Sequence, residues 1–391
     1  MANENLKQAK KSKNDEFYTQ WHDIEKEVMA YIDYNPNVFK DKTILLPCDD
    51  PEWSNFTKFF AQNFEVFGLK KLISTSFAFE SKKVNIPYQI SLFEEQSPHF
   101  DPDVNKIKGK IFTLEHDTNK NGVIDIDDLE WQYLEGDGDF RSDEVKKLRD
   151  ESDIIITNPP FSLFREFLAW IFEANKKFLM IGNINCLTYK EVFSKIKENK
   201  AWLGTGMGRW ISGFIVPESY ELYGTEARIE NGNRIVATNN CLWLTNIDHG
   251  KRHQPLQLMT MADNKKHSRH KEVRGNEYQK YDNFDAIEIP FTDAIPSDYE
   301  GVMGVPVTFL DKYNPEQFEI LYLGNLNGFP PNKQYINPKS HIKQQVKNNN
   351  MINAVLTLKG TDSKGNHYTA DNISYKVYAP YARILIKKRG E

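Results

Sequence analysis

Cysteine is scarce: the 391 residues hold three, Cys48, Cys186 and Cys241. Their spacing fits neither a disulfide framework nor a CxxC zinc knuckle, so redox and zinc chemistry drop out as organising ideas. No apolar run approaches the ~20 residues of a membrane helix, and the N-terminal MANENLKQAKKSKNDE has no apolar signal core. A soluble, cytoplasmic protein without a membrane partner is the expectation. Basic charge is not in excess either, since 50 Lys+Arg face 55 Asp+Glu for a net charge of −5. Any nucleic-acid face must therefore be local. Internal repeats and low-complexity tracts are absent. Aromatics, by contrast, make up 13% of the chain, with 25 Phe, 18 Tyr and 7 Trp, a composition compatible with flat ligands such as bases.

At ~100–200 residues per domain the length suits two to three domains. Residues 1–13 carry Lys7, Lys10, Lys11 and Lys13 with little apolar content and read as a flexible arm. From Asn14 to about 246, strand and helix signals alternate. Strands are predicted at Thr43–Pro47, Leu72–Phe77, Asp153–Thr157, Lys177–Asn183 and Asn240–Thr245, and helices at 53–67, Phe161–Asn175 and Tyr189–Asn199. This is the α/β pattern of a mostly parallel sheet with helices on both faces, whose ligands sit at the carboxyl ends of the strands. A Gly/Asp/Asn-rich insert at about 96–142 reads as an addition to the sheet. So does the stretch 250–280, where eight Lys and Arg meet three acidic residues. Residues 247–391 form a further lobe, α+β in character beyond Asp285.

The strongest chemical signal is Asp153-Ile-Ile-Ile-Thr-Asn158-Pro159-Pro160-Phe161. Two prolines end the strand and stiffen the turn, leaving its carbonyls outward as acceptors. An exocyclic amine on a base is a poor nucleophile because its lone pair is delocalised into the ring. If the Asn158 side-chain oxygen and the Pro159 carbonyl each accept one N–H, the amine is oriented and polarised towards an electrophile. Phe161 then stacks on the base. The plainer reading is a strand-to-helix turn whose Phe begins a core stripe.

This motif resembles the fourth motif of the amino-group DNA methyltransferases. The chain is similar in particular to EcoRI-type adenine-specific methyltransferases, through Asn14–Thr19, Leu134–Ser142, Thr157–Arg165 and Gly304–Pro315. The resemblance implies a Rossmann-like S-adenosylmethionine-dependent methyltransferase sheet over 14–246 and a C-terminal α+β target-recognition lobe over 247–391. Its activity would be adenine N6-methylation of a flipped-out base in double-stranded DNA, by a monomer whose restriction enzyme, if one exists, is encoded separately. Phe17, Tyr18 and Thr19 match the motif that closes over the methionine end of the cofactor. Pro47, Cys48 and Asp49 stand at the first motif, with Asp49 chosen for the methionine ammonium. Asp139 and Phe140 match the motif that receives the adenine ring, and Asn158, Pro159, Pro160 and Phe161 hold the target base. Two features depart from the broader pattern: the turn after the first strand lacks its glycines, and no acid ends Leu72–Phe77 for the ribose. An RNA-base or protein-glutamine methyltransferase using the same motif is the alternative, and a calcium-binding DNA-binding module without catalysis is another.

Within the insert, Asp117, Asn119, Asn121, Val123, Asp125 and Asp128 fall at calcium-loop positions around Gly122. A structural Ca2+ and a metal-free loop of Asx turns are both compatible with that spacing. In 250–280, Lys265, Lys266, Arg269, Lys271 and Arg274 are candidates for DNA phosphates, the alternative being a solvated loop. Arg209, beyond the catalytic strand, is a further candidate for DNA.

Overall fold

The computed structural model describes residues 18–47, 49, 54–78, 101–216, 222, 227–236, 239–325, 329–342, 345–370 and 375–390. The chain divides into two compact units, 1–186 with 201–250 and 187–200 with 251–391. Residues 187–200, read from the sequence with the first unit, thus group with the second.

The first unit opens with β1 (Tyr18–Thr19) and helix α1 (Trp21–Tyr34), followed by β2 (Thr43–Leu46), α2 (Asn55–Gln62) and β3 (Lys71–Ser76). Next come β4 (Lys110–Leu114), β5 (Glu130–Tyr133), α3 (Asp143–Glu151), β6 (Ile154–Thr157), α4 (Phe164–Glu173) and β7 (Lys177–Asn183). Strands β8 (Trp202–Met207), β9 (Phe214–Val216), β10 (Arg228–Glu230), β11 (Asn233–Val236) and β12 (Cys241–Thr245) complete it.

One mixed sheet runs β5-β4-β3-β2-β6-β7-β12-β8. Its centre, β3-β2-β6-β7, is parallel, and all residues of β2 and β6 are buried, as a strand covered on both faces requires. Helix α2 supplies Phe56, Phe59 and Phe60 to the core, and α4 buries Phe164, Phe167, Leu168, Trp170 and Ile171. Among these parallel strands β2 is first in sequence and lies between β3 and β6, so the order reverses direction between β2 and β6. Ligand sites of open α/β sheets form at such a reversal.

Two expectations need correction, and one helix was not foreseen. The insert is not an addition outside the sheet, because β4 pairs antiparallel with β3 and β5 with β4. Without this hairpin the outer edge of β3 would present unpaired backbone groups. The 240–245 strand is antiparallel to both its neighbours, so only the four central strands are parallel. Helix α1 escaped the sequence reading because its buried side mixes Ile24, Val28 and Tyr31 with Asp23 and Glu27, which breaks the apolar period.

The second unit contains α5 (Lys190–Lys197) and α6 (Met261–His267). It also holds β13 (Ile287–Glu288), β14 (Met303–Pro306) and β15 (Phe318–Leu323), then β16 (Lys339–Ile342), β17 (Gln345–Asn348) and β18 (Leu358–Lys359). Strands β19 (His367–Thr369), β20 (Val377–Tyr378) and β21 (Arg383–Lys388) close the chain. These form two sheets, β13-β14-β21-β15 and β17-β16-β19-β20-β18. Among the described residues no helix is long and apolar enough to cross a membrane.

Candidate active site

At the reversal point, the Thr157 hydroxyl at the end of β6 donates to the Pro47 carbonyl at the end of β2, at 2.8 Å in the buried interior. Pro47 and Asn158 thereby begin two turns that leave the same sheet edge side by side. Cys48 lies outside the described residues, as does Phe17. Asp49 follows, 5% exposed, with its N–H bonded to the Thr75 carbonyl at 2.9 Å. Its carboxylate accepts from the Ser54 hydroxyl at 2.7 Å, and Ser54 in turn caps α2 by accepting from Phe56 N–H. Thr57 and Ser74 donate their hydroxyls to the Asp49 carbonyl. A buried carboxylate that accepts from the capping serine at a helix N-terminus is of the right charge to receive a cation.

Beside it lies β1, which pairs with β9 so that Tyr18 faces Ile215 and Thr19 faces Phe214. Asn55, at the start of α2, donates to the Thr19 carbonyl at 2.8 Å. The Thr19 hydroxyl is buried and finds no hydrogen-bond partner among the described residues. Burying a hydroxyl without a partner is costly. A polar ligand at the N-terminus of α2 would relieve that cost, so the residues present fit a bound cofactor here.

The glycine-rich turn 136–138 sits at the end of β3. Gly138 has φ +84, and a Cβ there would collide with the Ser76 carbonyl, so glycine is needed both for the left-handed backbone and for the close approach. The Ala78 N–H bonds to the Asp137 carbonyl at 2.8 Å. Asp139 is clamped by Arg141, whose Nε and Nη2 reach its two oxygens at 2.9 and 2.6 Å. Arg141 also bonds Glu166 at 3.0 Å. The guanidinium holds the Asp139 carboxyl below its usual range. Phe140, expected on a cofactor ring, is instead 3% exposed and packs against Phe167 and Trp170 with ring centroids 4.9 and 5.7 Å away. With α4 over it, the ring serves the core.

Asn158 and Pro160 are half-buried and Pro159 buried. Phe161 is partly buried against the main core and meets Phe214 edge-on at 6.3 Å. The structure therefore brings Thr19, Asp49 and the Asn158–Phe161 turn into one neighbourhood through α2 and β9. Sequence reading overlooked Ser54, Thr57, Ser74, Thr157 and Phe214. A serine directly before a helix is a legible capping signal, whereas nothing in the sequence announces the strand pairing that brings in Phe214.

Arg209 lies exposed on the turn Gly208–Trp210 after β8, and Lys26 covers the ring of Trp210 at 4.0 Å. That segment is anchored from α1. Buried Glu27 accepts from Tyr31, from Thr205 N–H and Oγ1, and from Gly206 N–H at 2.6–2.9 Å. Burial raises its pKa.

The 117–128 loop closes through a set of side-chain-to-backbone turns, and the calcium ion considered for it finds no support among the described residues. Asp128 is buried, with its oxygens accepting from Thr118 N–H and Oγ1, Asn119 N–H and Asp125 N–H at 2.9–3.1 Å. Asp117 bonds the N–H groups of Asn121 and Gly122, Asn121 that of Val123 and Asp125 that of Asp127. Among the described residues no cluster of His, Cys, Asp and Glu is arranged to hold a metal. Cys186 and Cys241 are buried thiols, and burial pushes Cys186 well above the usual thiol range.

In the second unit the basic stretch is more ordered than a solvated loop, since Thr260 caps α6 by accepting from Asp263 N–H. Lys265 pairs with Glu277, and Arg269 and His270 with Asp293. Lys266, Lys271 and Arg274 stay exposed.

The family described as Adenine-specific methyltransferase EcoRI matches residues 5–389. The Type II methyltransferase M.EcoRI of Escherichia coli is 50% identical over 323 residues, 82% of this chain and 89% of that protein. The Type II methyltransferases M.MgeORF184P of Mycoplasma genitalium and M.MpnI of Mycoplasma pneumoniae are each 35% identical, covering 80% of this chain and 84% and 83% of theirs. No solved structure matches. By extent of match and by identity, the chain belongs to the EcoRI family of adenine-specific methyltransferases.

Proposed function

We propose that the protein is a site-specific DNA methyltransferase acting on the N6 amine of adenine in duplex DNA, on a Rossmann-like sheet that takes S-adenosylmethionine at the ends of β2 and β3. The observation that carries this reading is the Thr157–Pro47 bond, because it sets the cofactor-side turn and the Asn158–Phe161 turn on adjoining strands. When bound, S-adenosylmethionine supplies a methyl group activated by a sulfonium. The chain does the rest. Asp49 receives the methionine ammonium, with Tyr18 and Thr19 beside it and Asp139 near the adenosine end. The Asn158 side-chain oxygen and the Pro159 carbonyl accept the two N–H groups of the amine and turn its lone pair outward, while Phe161 supports the base face. Arg209, Lys265, Lys266, Arg269, Lys271 and Arg274 are proposed on the DNA side, with the exposed Lys266, Lys271 and Arg274 favoured for phosphates. Because a stacked, paired amine is inaccessible, the base must leave the helix.

Incubation with mixed-sequence duplex and labelled S-adenosylmethionine, followed by mapping of modified bases, tests the reading. Label on adenine N6 at one recurrent sequence supports it; label on another base, or an unlabelled duplex while RNA or protein in parallel reactions takes the label, refutes it.

A further inference from the structure

In the first unit, strand direction places the end of β8 on the ligand edge of the sheet. Strands β3, β2, β6 and β7 run parallel, β12 runs against β7 and β8 against β12. Strand β8 therefore points the same way as β6, and its carboxyl end leaves the same edge as the Asn158–Phe161 turn. In the order β3-β2-β6-β7-β12-β8, β2 and β3 lie on one side of β6 and β8 on the other, three strands away or about 14 Å at the usual spacing. In-line transfer needs the methyl donor and the accepting amine on opposite sides of the transferred carbon. With the cofactor at the ends of β2 and β3 and the amine at Asn158, the base enters from the side of β7, β12 and β8. The duplex that it leaves then lies over that part of the edge. One duplex, with a major groove about 12 Å wide, spans the interval.

The turn Gly208–Trp210 stands at that place. Gly208 reverses the chain with φ +66, a conformation glycine adopts without strain. Trp210 is 63% exposed, although indole rings are mostly buried in folded proteins. Lys26 Nζ sits over the ring at 4.0 Å and fixes it by cation–π attraction. Helix α1 also ties the backbone down on both sides of the turn. Before it, buried Glu27 accepts from Thr205 and Gly206. After it, Asp23, 3% exposed, accepts from the Ser212 N–H at 3.0 Å and from its hydroxyl at 2.7 Å. Gln20 donates to the Gly213 carbonyl at 3.1 Å. The next residue is Phe214, whose ring meets Phe161. Trp210 thus lies four residues along a pinned backbone from the ring that backs the base-holding turn. A side chain held in place beforehand loses little freedom on meeting a partner, and an aromatic face accepts any base.

We propose that the indole of Trp210 stacks on a nucleobase of the duplex beside the adenine drawn out of the helix. The proposal rests on the reading of the protein as a DNA adenine methyltransferase and adds a residue to its DNA face. The test measures duplex affinity by fluorescence anisotropy for the full chain and its Trp210→Ala and Trp210→Phe variants. The duplexes are a labelled mixed-sequence pool and the sequence that methylation maps. Trp210→Ala should weaken binding of the mapped sequence by about tenfold or more, the scale of a lost base–aromatic stack, and Trp210→Phe should recover most of it. Because an indole releases no counterions, the log–log salt slope should stay at the wild-type value in both variants, which separates stacking from phosphate contact. Calorimetric S-adenosylmethionine affinity should also stay and reports an intact fold. Wild-type duplex affinity in Trp210→Ala, or an equal loss of cofactor affinity, would overturn the proposal and leave the enzymatic reading untouched. A wild-type chain that methylates no adenine, while Trp210→Ala still weakens binding of the pool at constant slope, would sink that reading and keep the contact between ring and base.

Discussion

Thr157 donates its hydroxyl to the carbonyl of Pro47 at 2.8 Å, joining the carboxyl ends of β6 and β2 where the strand order reverses. The bond is buried, so losing its donor leaves the Pro47 carbonyl without compensation from water. Thr157→Val keeps the shape and removes the hydroxyl. Unfolding free energy should fall by about 1–3 kcal/mol, measured by urea denaturation, and both cofactor KM and kcat should worsen as the two turns drift apart. A change in stability alone would make the bond a purely structural tie.

Asn158→Ala removes one proposed acceptor of the reacting amine. Methyl transfer should drop by about 10²-fold or more, while S-adenosylmethionine affinity measured by calorimetry stays near the wild type. Equal losses in binding and turnover would place Asn158 on the cofactor side instead.

Phe161 has two roles to separate, since its ring is partly buried in the core and also meets Phe214. Phe161→Ala should weaken capture of the flipped base by ~1–3 kcal/mol and also lower stability, whereas Phe161→Leu should keep most of the stability and still lose the base contact. Single-turnover kinetics beside thermal unfolding read the two effects independently. Wild-type kinetics in the Leu variant would confine the ring to packing.

Arg141 depresses the pKa of Asp139, and this gives a pH signature. A carboxyl lowered in the folded state contributes stability above its unfolded value of about 3.9, and that contribution is lost as pH falls towards the folded value. Arg141→Gln should therefore lower stability near neutrality and flatten its fall below about pH 4, so that variant and wild type converge in acid. An unchanged acid limb would mean that the clamp has no energetic weight.

The 117–128 turn should be indifferent to calcium. Adding the ion or a chelator should leave the melting temperature fixed, while Asp128→Ala should lower it by removing the acceptor of four donors. A calcium-dependent rise in melting temperature would restore the metal.

How far the sequence revealed this molecule depended on whether the signal was local. The runs Ile44–Leu46 and Ile154–Ile156 are apolar throughout and followed within three residues by proline, so both strands were legible, as was the Asn-Pro-Pro-Phe turn between strand and helix. Helix α1 was not, because Asp23 and Glu27 face inward to partners about 180 residues away, Ser212 and Thr205. The insert looked detachable because its polarity belongs to the connecting loop, while β4 itself docks on β3 through backbone bonds that side-chain type does not encode. Phe140 matched a motif by position, yet its surroundings come from α4, a contact that no motif carries. The basic excess at 250–280 stood out as a run.

The most direct measurement of the central claim compares wild-type and Asn158→Ala proteins in methyl transfer from labelled S-adenosylmethionine to mixed-sequence duplex, with the modified base mapped by sequencing. The account predicts N6-methyladenine at one recurrent site with the wild type, and about 10²-fold less or lower with Asn158→Ala at undiminished cofactor binding. Methylation of another base, or an Asn158→Ala protein that turns over like the wild type, would contradict it.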